Sequence, residues 1–199
     1  MAYLFFDTET TGFPRKKEPL NSSSQPHLVQ LAAILYDKEF NKIESFCEII
    51  YPQGRILKKE ISWIIPEETA KIHRITQARA VSEGKNIHEV ISKFSNLLKS
   101  SKTLIAHNID FDLKILEIAF IRVGMDLSLP KNLLCTMKTT TDICQIPNTK
   151  SWGGLYKWPS LSELHRHLFQ KEFEGAHDAL VDVEATARCF FELKNKNLI

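Results

Sequence analysis

A chain of 199 residues, 43% apolar and 25% charged, fits one well-buried domain and is short for two. No segment approaches the roughly 18 apolar residues of a membrane span. The N-terminus has no basic flank and brings Asp7 and Glu9 almost at once, so a signal peptide is not expected and the protein reads as cytoplasmic. A formal net charge of +2 gives no sign of the strong basic patch of a protein that grips duplex DNA, though a few local phosphate contacts are compatible with it. Cys47, Cys135, Cys144 and Cys189 are scattered without a C-x-x-C pair, as in a reduced protein rather than a zinc site or disulfide framework.

In chain order, Tyr3–Asp7, Leu28–Tyr36 and Ile43–Tyr51 are rich in β-branched, aliphatic and aromatic residues and predict three strands. Tyr36–Lys42 predicts the hairpin connection between the last two. Pro14–His27, with its Pro and Ser content and the basic run Arg15, Lys16, Lys17, predicts a surface loop. Pro66–Thr76 opens with Pro and acids, a helix-start signal. His88–Ser100 places Val90, Ile91, Phe94, Leu97 and Leu98 on one helical stripe. Thr103–His107 predicts a buried strand, Asp110–Gly124 a helix stopped by glycine, and Asn132–Met137 a further strand. Helices are expected from about Thr140 to Ile146, over Ser160–Phe169 and over Asp178–Lys194. Three strands joined by loops, followed by alternating strands and helices, predict one α/β domain over residues 1–199: a mixed sheet flanked by helices, with no repeat and no linker.

The first strand poses a chemical question. Residues i and i+2 of a strand point to one side, so Asp7 and Glu9 share a face where the strand leaves the core. Two carboxylates that close raise each other's pKa unless a positive charge lies between them, and a hard divalent cation suits carboxylate oxygens. Asp112 lies at the end of a buried strand and the start of a helix, where α/β folds collect site residues. Either Asp112 or the neighbouring Asp110 could instead be a helix cap or a first-turn acid. Asp182 lies one turn inside a helix among Leu180, Val181 and Val183. Asp178 reads as the N-cap or first-turn residue of that helix, and His177 just precedes it.

Together, "FFDTETTG", "AHNIDFD" and "HDALVD" stand in order and resemble the motifs of the DEDDh 3′–5′ exonucleases, the family of the proofreading epsilon subunit of bacterial DNA polymerase III. "KIHRIT", "WPSLSELHRHLF" and "CTM" resemble that family's connecting segments, and the likeness runs from about Tyr3 to Leu193. It implies a ribonuclease H-like fold with a mixed five-stranded sheet: three antiparallel strands, then parallel additions. It implies two divalent cations, Mg²⁺ or Mn²⁺, bridged by Asp7. Glu9 and Asp182 would hold the ion carrying the attacking water, and Asp112 would help hold the other. A histidine five positions before the last Asp, His177, fits the histidine-type relatives and would take the proton from water; a tyrosine type would use the position of Asp178. The haloacid-dehalogenase phosphatases also begin with an Asp on a strand, but they need a second Asp where Glu9 stands, and they leave the other two blocks unexplained.

The same resemblance points to substrate contacts at Thr10, Thr11, Gly12 and Phe13 after the first motif, at Ile72 or His73 in "KIHRIT", and at Asn108. Ile72 reads equally well as a core helix residue. The Trp152–Trp158 loop, with Tyr156, Lys150 and Lys157, suits either single-strand stacking or an ordinary Gly-Pro loop, and Arg15–Lys17 either phosphate contact or a solvated charge run. The expected substrate is the 3′ end of single-stranded DNA, with short RNA as the alternative. A nucleic-acid-binding or polymerase-associated module with little activity is the competing class; the presence of all five chemical positions favours the enzyme. Ile199 follows directly on the last helix, so no polymerase-binding tail of the epsilon kind is expected. The sequence leaves open both a polymerase partner and the choice of monomer or dimer.

Overall fold

The computed structural model describes residues 2–52, 62–150, 154–173 and 178–199. Three strands, β1 (Tyr3–Thr10), β2 (Leu28–Tyr36) and β3 (Lys42–Ile49), form an antiparallel meander. Asp37 ties the β2–β3 turn, its Oδ1 accepting from the amides of Glu39 at 2.9 Å and Asn41 at 2.8 Å. Helices α1 (Glu67–His73), α2 (Gln77–Glu83) and α3 (Ile87–Ser100) follow. Then come β4 (Thr103–Ala106), α4 (Ile109–Val123), β5 (Asn132–Cys135) and two single-turn helices, α5 (Thr136–Thr139) and α6 (Thr141–Cys144). Helices α7 (Leu161–Phe169) and α8 (Ala179–Asn195) complete the described elements. The sheet order is β3-β2-β1-β4-β5, with β4 parallel to β1 and β5 parallel to β4. This is the mixed five-stranded sheet expected from the sequence.

Helices cover both faces, which is why β2 is buried along almost its whole length instead of alternating. On one face Leu4, Phe6, Leu31 and Ala33 pack with Val90, Ile91 and Phe94 of α3 and with Leu116 and Phe120 of α4. On the other, Phe5, Ala32 and Ile34 pack with Val183, Ala187 and Phe190 of α8, and α7 closes over the far side of α8 through Leu164 and Leu168. Phe5, Phe6, Phe94, Phe120 and Phe190 are fully buried, each contributing about 1.5–3 kcal/mol of transfer free energy.

Local signals set several boundaries as expected. Asp178 caps α8, accepting from Leu180 and Val181. Ser160 and Glu163 form a capping box on α7. Gly124 ends α4 at φ +69°, a left-handed conformation in which glycine carries no Cβ penalty. Other boundaries differ from the sequence reading: the third strand stops at Ile49 rather than Tyr51, and the helix expected to Ile146 is a single turn ending at Cys144. The helix expected over Pro66–Thr76 ends at His73, where Arg74 turns left-handed, and Thr76 caps a separate α2. The strand expected to reach Met137 stops at Cys135, because Thr136 starts the α5 turn. β1 runs three residues beyond Asp7, so both of its carboxylates lie within the strand.

Candidate functional site

The site sits at the C-terminal end of β1 and depends on how its neighbours leave it. Parallel pairing with β4 covers only Tyr3–Phe5, whereas antiparallel pairing with β2 continues to Thr10. Beyond Phe5 the two parallel strands part, opening the kind of crevice in which α/β sheets collect ligands. Asp7 and Glu9 follow Phe5 on the face covered by α8, and α8 brings Asp182 to them from one turn inside its N-terminus. Carboxylate oxygens of Asp7, Glu9 and Asp182 lie within 4.8 Å of one another.

Asp112 approaches from the other face, on the first turn of α4. Asn108, at φ +69° and ψ +46°, makes the left-handed turn from β4 into α4 that sets this direction. Asp112 is buried, and its Oδ1 accepts from the Thr8 amide at 3.1 Å and the Thr8 hydroxyl at 2.7 Å. It thereby satisfies a backbone donor on the stretch of β1 that β4 no longer pairs. Asp110 is exposed and ion-paired with Lys138. The structure thus separates the two acids that the sequence left as alternatives. Thr8, which the sequence reading missed, is the residue that fixes Asp112. Its position between Asp7 and Glu9 puts its side chain on the α4 face, a signal already present in the strand period.

Electrostatics show how these carboxylates act on one another. Asp7 is pushed well above the usual carboxylate range by burial first, then by the charges of Asp112, Glu9, Asp182 and Asp178. Burial, followed by Asp182, Asp112 and Asp178, pushes Glu9 up to about 8. Burial pushes Asp112 up to about 7 despite the opposing hydrogen bonds from Thr8. Among the described residues, the charges acting on Asp7 and Glu9 are all negative. A convergent set of hard oxygen donors whose charges oppose one another fits a divalent cation, and Asp7, Glu9 and Asp182 can coordinate one.

Around the carboxylates, Thr10 is buried, its hydroxyl donating to the Gly12 carbonyl at 2.7 Å. Gly12, at φ +149°, lets the chain leave the strand. The Thr11 hydroxyl accepts from the His27 amide at 2.8 Å. Phe13 is 84% exposed and meets Phe111 edge-on, with centroids 5.8 Å apart. Ile72 is exposed on α1, whereas His73 is buried with Nδ1 accepting from the Ile75 amide. Asn108 is exposed at the mouth of the turn. The neighbouring His107 is half-buried and neutral, its pKa lowered to about 4 by desolvation. It donates from Nε2 to the Pro159 carbonyl at 3.0 Å, which leaves Nδ1 to accept from the Thr136 hydroxyl at 3.0 Å. His177 and Trp152 lie outside the described residues. Trp158 is exposed, and Lys157 is ion-paired with Glu163 at 2.6 Å.

A ribonuclease H-like mixed sheet with an acidic cluster at the end of its central strand defines a class of nucleases. Within it, the chain belongs to the RNase T exonuclease family, whose model matches residues 4–190, and it carries the DEDDh form of the motifs. It is 28% identical over 190 residues to the PolC-type DNA polymerase III of Clostridium perfringens, covering 93% of this chain and 11% of the polymerase. The fold resembles that of Escherichia coli exonuclease I. In its zinc-bound complex with single-stranded DNA the TM-score is 0.73 at 22% identity, over 98% of this chain and 40% of that one. In its complex with a dT13 oligonucleotide the values are 0.75 and 23%, over 98% and 41%. The chain therefore spans well under half of each of these proteins.

Proposed function

We propose that this protein, acting as a single domain over residues 1–199, hydrolyses phosphodiester bonds at the 3′ end of single-stranded DNA and releases nucleoside 5′-monophosphates one at a time. The convergence of Asp7, Glu9 and Asp182 within 4.8 Å, beside the buried Asp112, carries this reading. Two ions, Mg²⁺ or Mn²⁺, held by these four carboxylates would neutralise charge developing on the phosphate and lower the pKa of water. The chain's own residues do the rest. His177 accepts the proton of the attacking water, for which a neutral imidazole is suited near neutral pH. Thr8 holds Asp112 in place. Thr10–Gly12 turn the backbone towards the terminal nucleotide, with Phe13, Ile72, His73 and Asn108 around the last bases.

DNA is preferred to RNA as the substrate because two relatives are a DNA polymerase and an exonuclease bound to single-stranded DNA. A polymerase partner is compatible with the first of these, and the absence of any described helix able to cross a membrane is compatible with work in the cytoplasm. The test uses 5′-labelled single-stranded DNA and RNA with Mg²⁺, Mn²⁺ or EDTA. A ladder shortening from the 3′ end, faster on DNA and lost in EDTA and in Asp7→Ala, is the expected result. Faster shortening of RNA would reassign the substrate, and intact strands with both metals would leave only a binding module.

A further inference from the structure

The Pro14–His27 segment is a built structure with a cavity beneath it. Gln25, 2% exposed, sits at its centre. The Gln25 Oε1 accepts from the Arg15 amide at 3.0 Å, while its Nε2 donates to the carbonyls of Arg15 and Glu18, both at 3.0 Å. Arg122 of α4 donates to the carbonyls of Pro26 at 2.5 Å and Gln25 at 2.6 Å. Thr11 and His27 join the two ends, the Thr11 amide donating to the His27 carbonyl at 3.0 Å. These bonds hold the loop away from the first turns of α4 and leave a cavity of about 600 Å³, within the usual size of ligand sites.

Its lining is mixed. Phe13, Pro14, Leu20 and Phe111 supply apolar and aromatic surface, Arg15 and Lys16 supply positive charge, and the acids Glu18 and Asp110 also line it, Asp110 being ion-paired with Lys138. Among the described residues neither Arg15 nor Lys16 is in an ion pair, whereas Lys114, on the opposite wall, is held by Glu117 at 2.5 Å. The cavity wall and the carboxylate site are neighbours in the chain: Phe111 directly precedes Asp112, and Phe13 follows the Thr10–Gly12 turn. Aromatic faces beside cations are the combination that holds single-stranded nucleic acid.

We infer that the cavity is an upstream nucleotide subsite: it takes the base of a nucleotide on the 5′ side of the scissile bond, while Arg15 and Lys16 hold that nucleotide's phosphate. The inference rests on the exonuclease reading and extends it to the loop. The site makes affinity depend on strand length, because a nucleotide upstream of the terminal ones adds contacts with Arg15 and Lys16 that a shorter strand lacks.

The experiment measures binding of 5′-fluorescein oligothymidylates, from the dinucleotide to the octanucleotide, by anisotropy with Ca²⁺ present. The expected result is a dissociation constant that falls about tenfold once the strand is long enough to reach the cavity. Leu20→Trp, which fills the space, and the double variant Arg15→Ala/Lys16→Ala remove that gain, and Leu20→Met keeps it. Thermal midpoints establish that each variant is folded. No dependence on length, or variants that track the unmodified protein at every length, would overturn the subsite. Hydrolysis of the p-nitrophenyl ester of thymidine 5′-monophosphate by the unmodified protein tests the carboxylates alone. Failure there counts against the exonuclease reading and not against the binding result.

Discussion

Asp112 and Asp110 show how one hydrogen-bond donor decides a residue's role. Both lie in the first turn of α4, yet Asp112 meets the amide and hydroxyl of Thr8 while Asp110 meets Lys138 at the surface. Thr8→Val keeps the strand propensity and shape but removes one of the two bonds that orient Asp112. Outer-shell partners of this kind typically contribute ten- to a hundredfold, so kcat is expected to fall by about 10- to 100-fold with a weaker apparent affinity for Mn²⁺. An unchanged rate would show that Asp112 is oriented without Thr8. His177→Ala has a different expected signature. The rate falls by about two to four decades, while calorimetric Mn²⁺ binding is retained because the carboxylates are untouched. Lost metal binding would move His177 from proton acceptor to ligand.

At the scale of elements, close backbone approach explains a position no motif marks. Gly84 ends α2 where β3 and its extension turn past it, and Lys85 pairs with Ile49 and Tyr51. A Cβ there would lie 2.5 Å from the Tyr51 amide nitrogen, and backbone cannot yield as a flexible side chain can. Gly84→Ala is expected to destabilise the fold by about 1–3 kcal/mol, read as a lower urea midpoint at unchanged slope. Much of the element pattern was legible because it rests on short-range energetics: the apolar stripe of α3, the Asp178 cap and the Gly124 stop. The break between α1 and α2 was not, since Arg74 has no intrinsic preference for the left-handed conformation it adopts. There the burial of His73 and Ile75 overrides propensity.

For the whole molecule, the mutually repelling carboxylates link stability to pH and metal. Without a cation, Glu9 and Asp112 titrate at about 8 and about 7 in the folded state, against ordinary values of 4.5 and 3.8. The folded protein therefore holds protons that the unfolded chain has released, and stability falls as pH rises through this range. The half-buried His27 and His107, with folded pKa values of about 3 and about 4, and His73, also lowered by burial, oppose this slope near pH 6.5, where an unfolded histidine is half protonated. Glu9 and Asp112 outweigh them as pH approaches 8. The thermal midpoint in EDTA is expected to drop from pH 6.5 to 8. Mn²⁺ should raise it more at pH 8, because binding to the folded state alone stabilises by mass action. A midpoint that climbs with pH in EDTA would mean that these groups are not held protonated together.

That Asp7 and Glu9 share a side is readable from the chain, because a strand repeats every two residues, and so is the place of Asp182 one turn into a capped helix, because caps act within a few residues. The chain's three ordered motifs also carried the family. Long-range packing alone sets the parting of β1 and β4 beyond Phe5, the filling of the resulting gap by Asp112 rather than Asp110, and the conversion of a polar loop into the roof of a cavity by Gln25 and Arg122. Local signals report energies between near neighbours in the chain. The gap, the convergence of carboxylates and the cavity arise from the packing of α4 and α8 against opposite faces of one sheet, where the interacting groups are brought together by the core and not by sequence proximity.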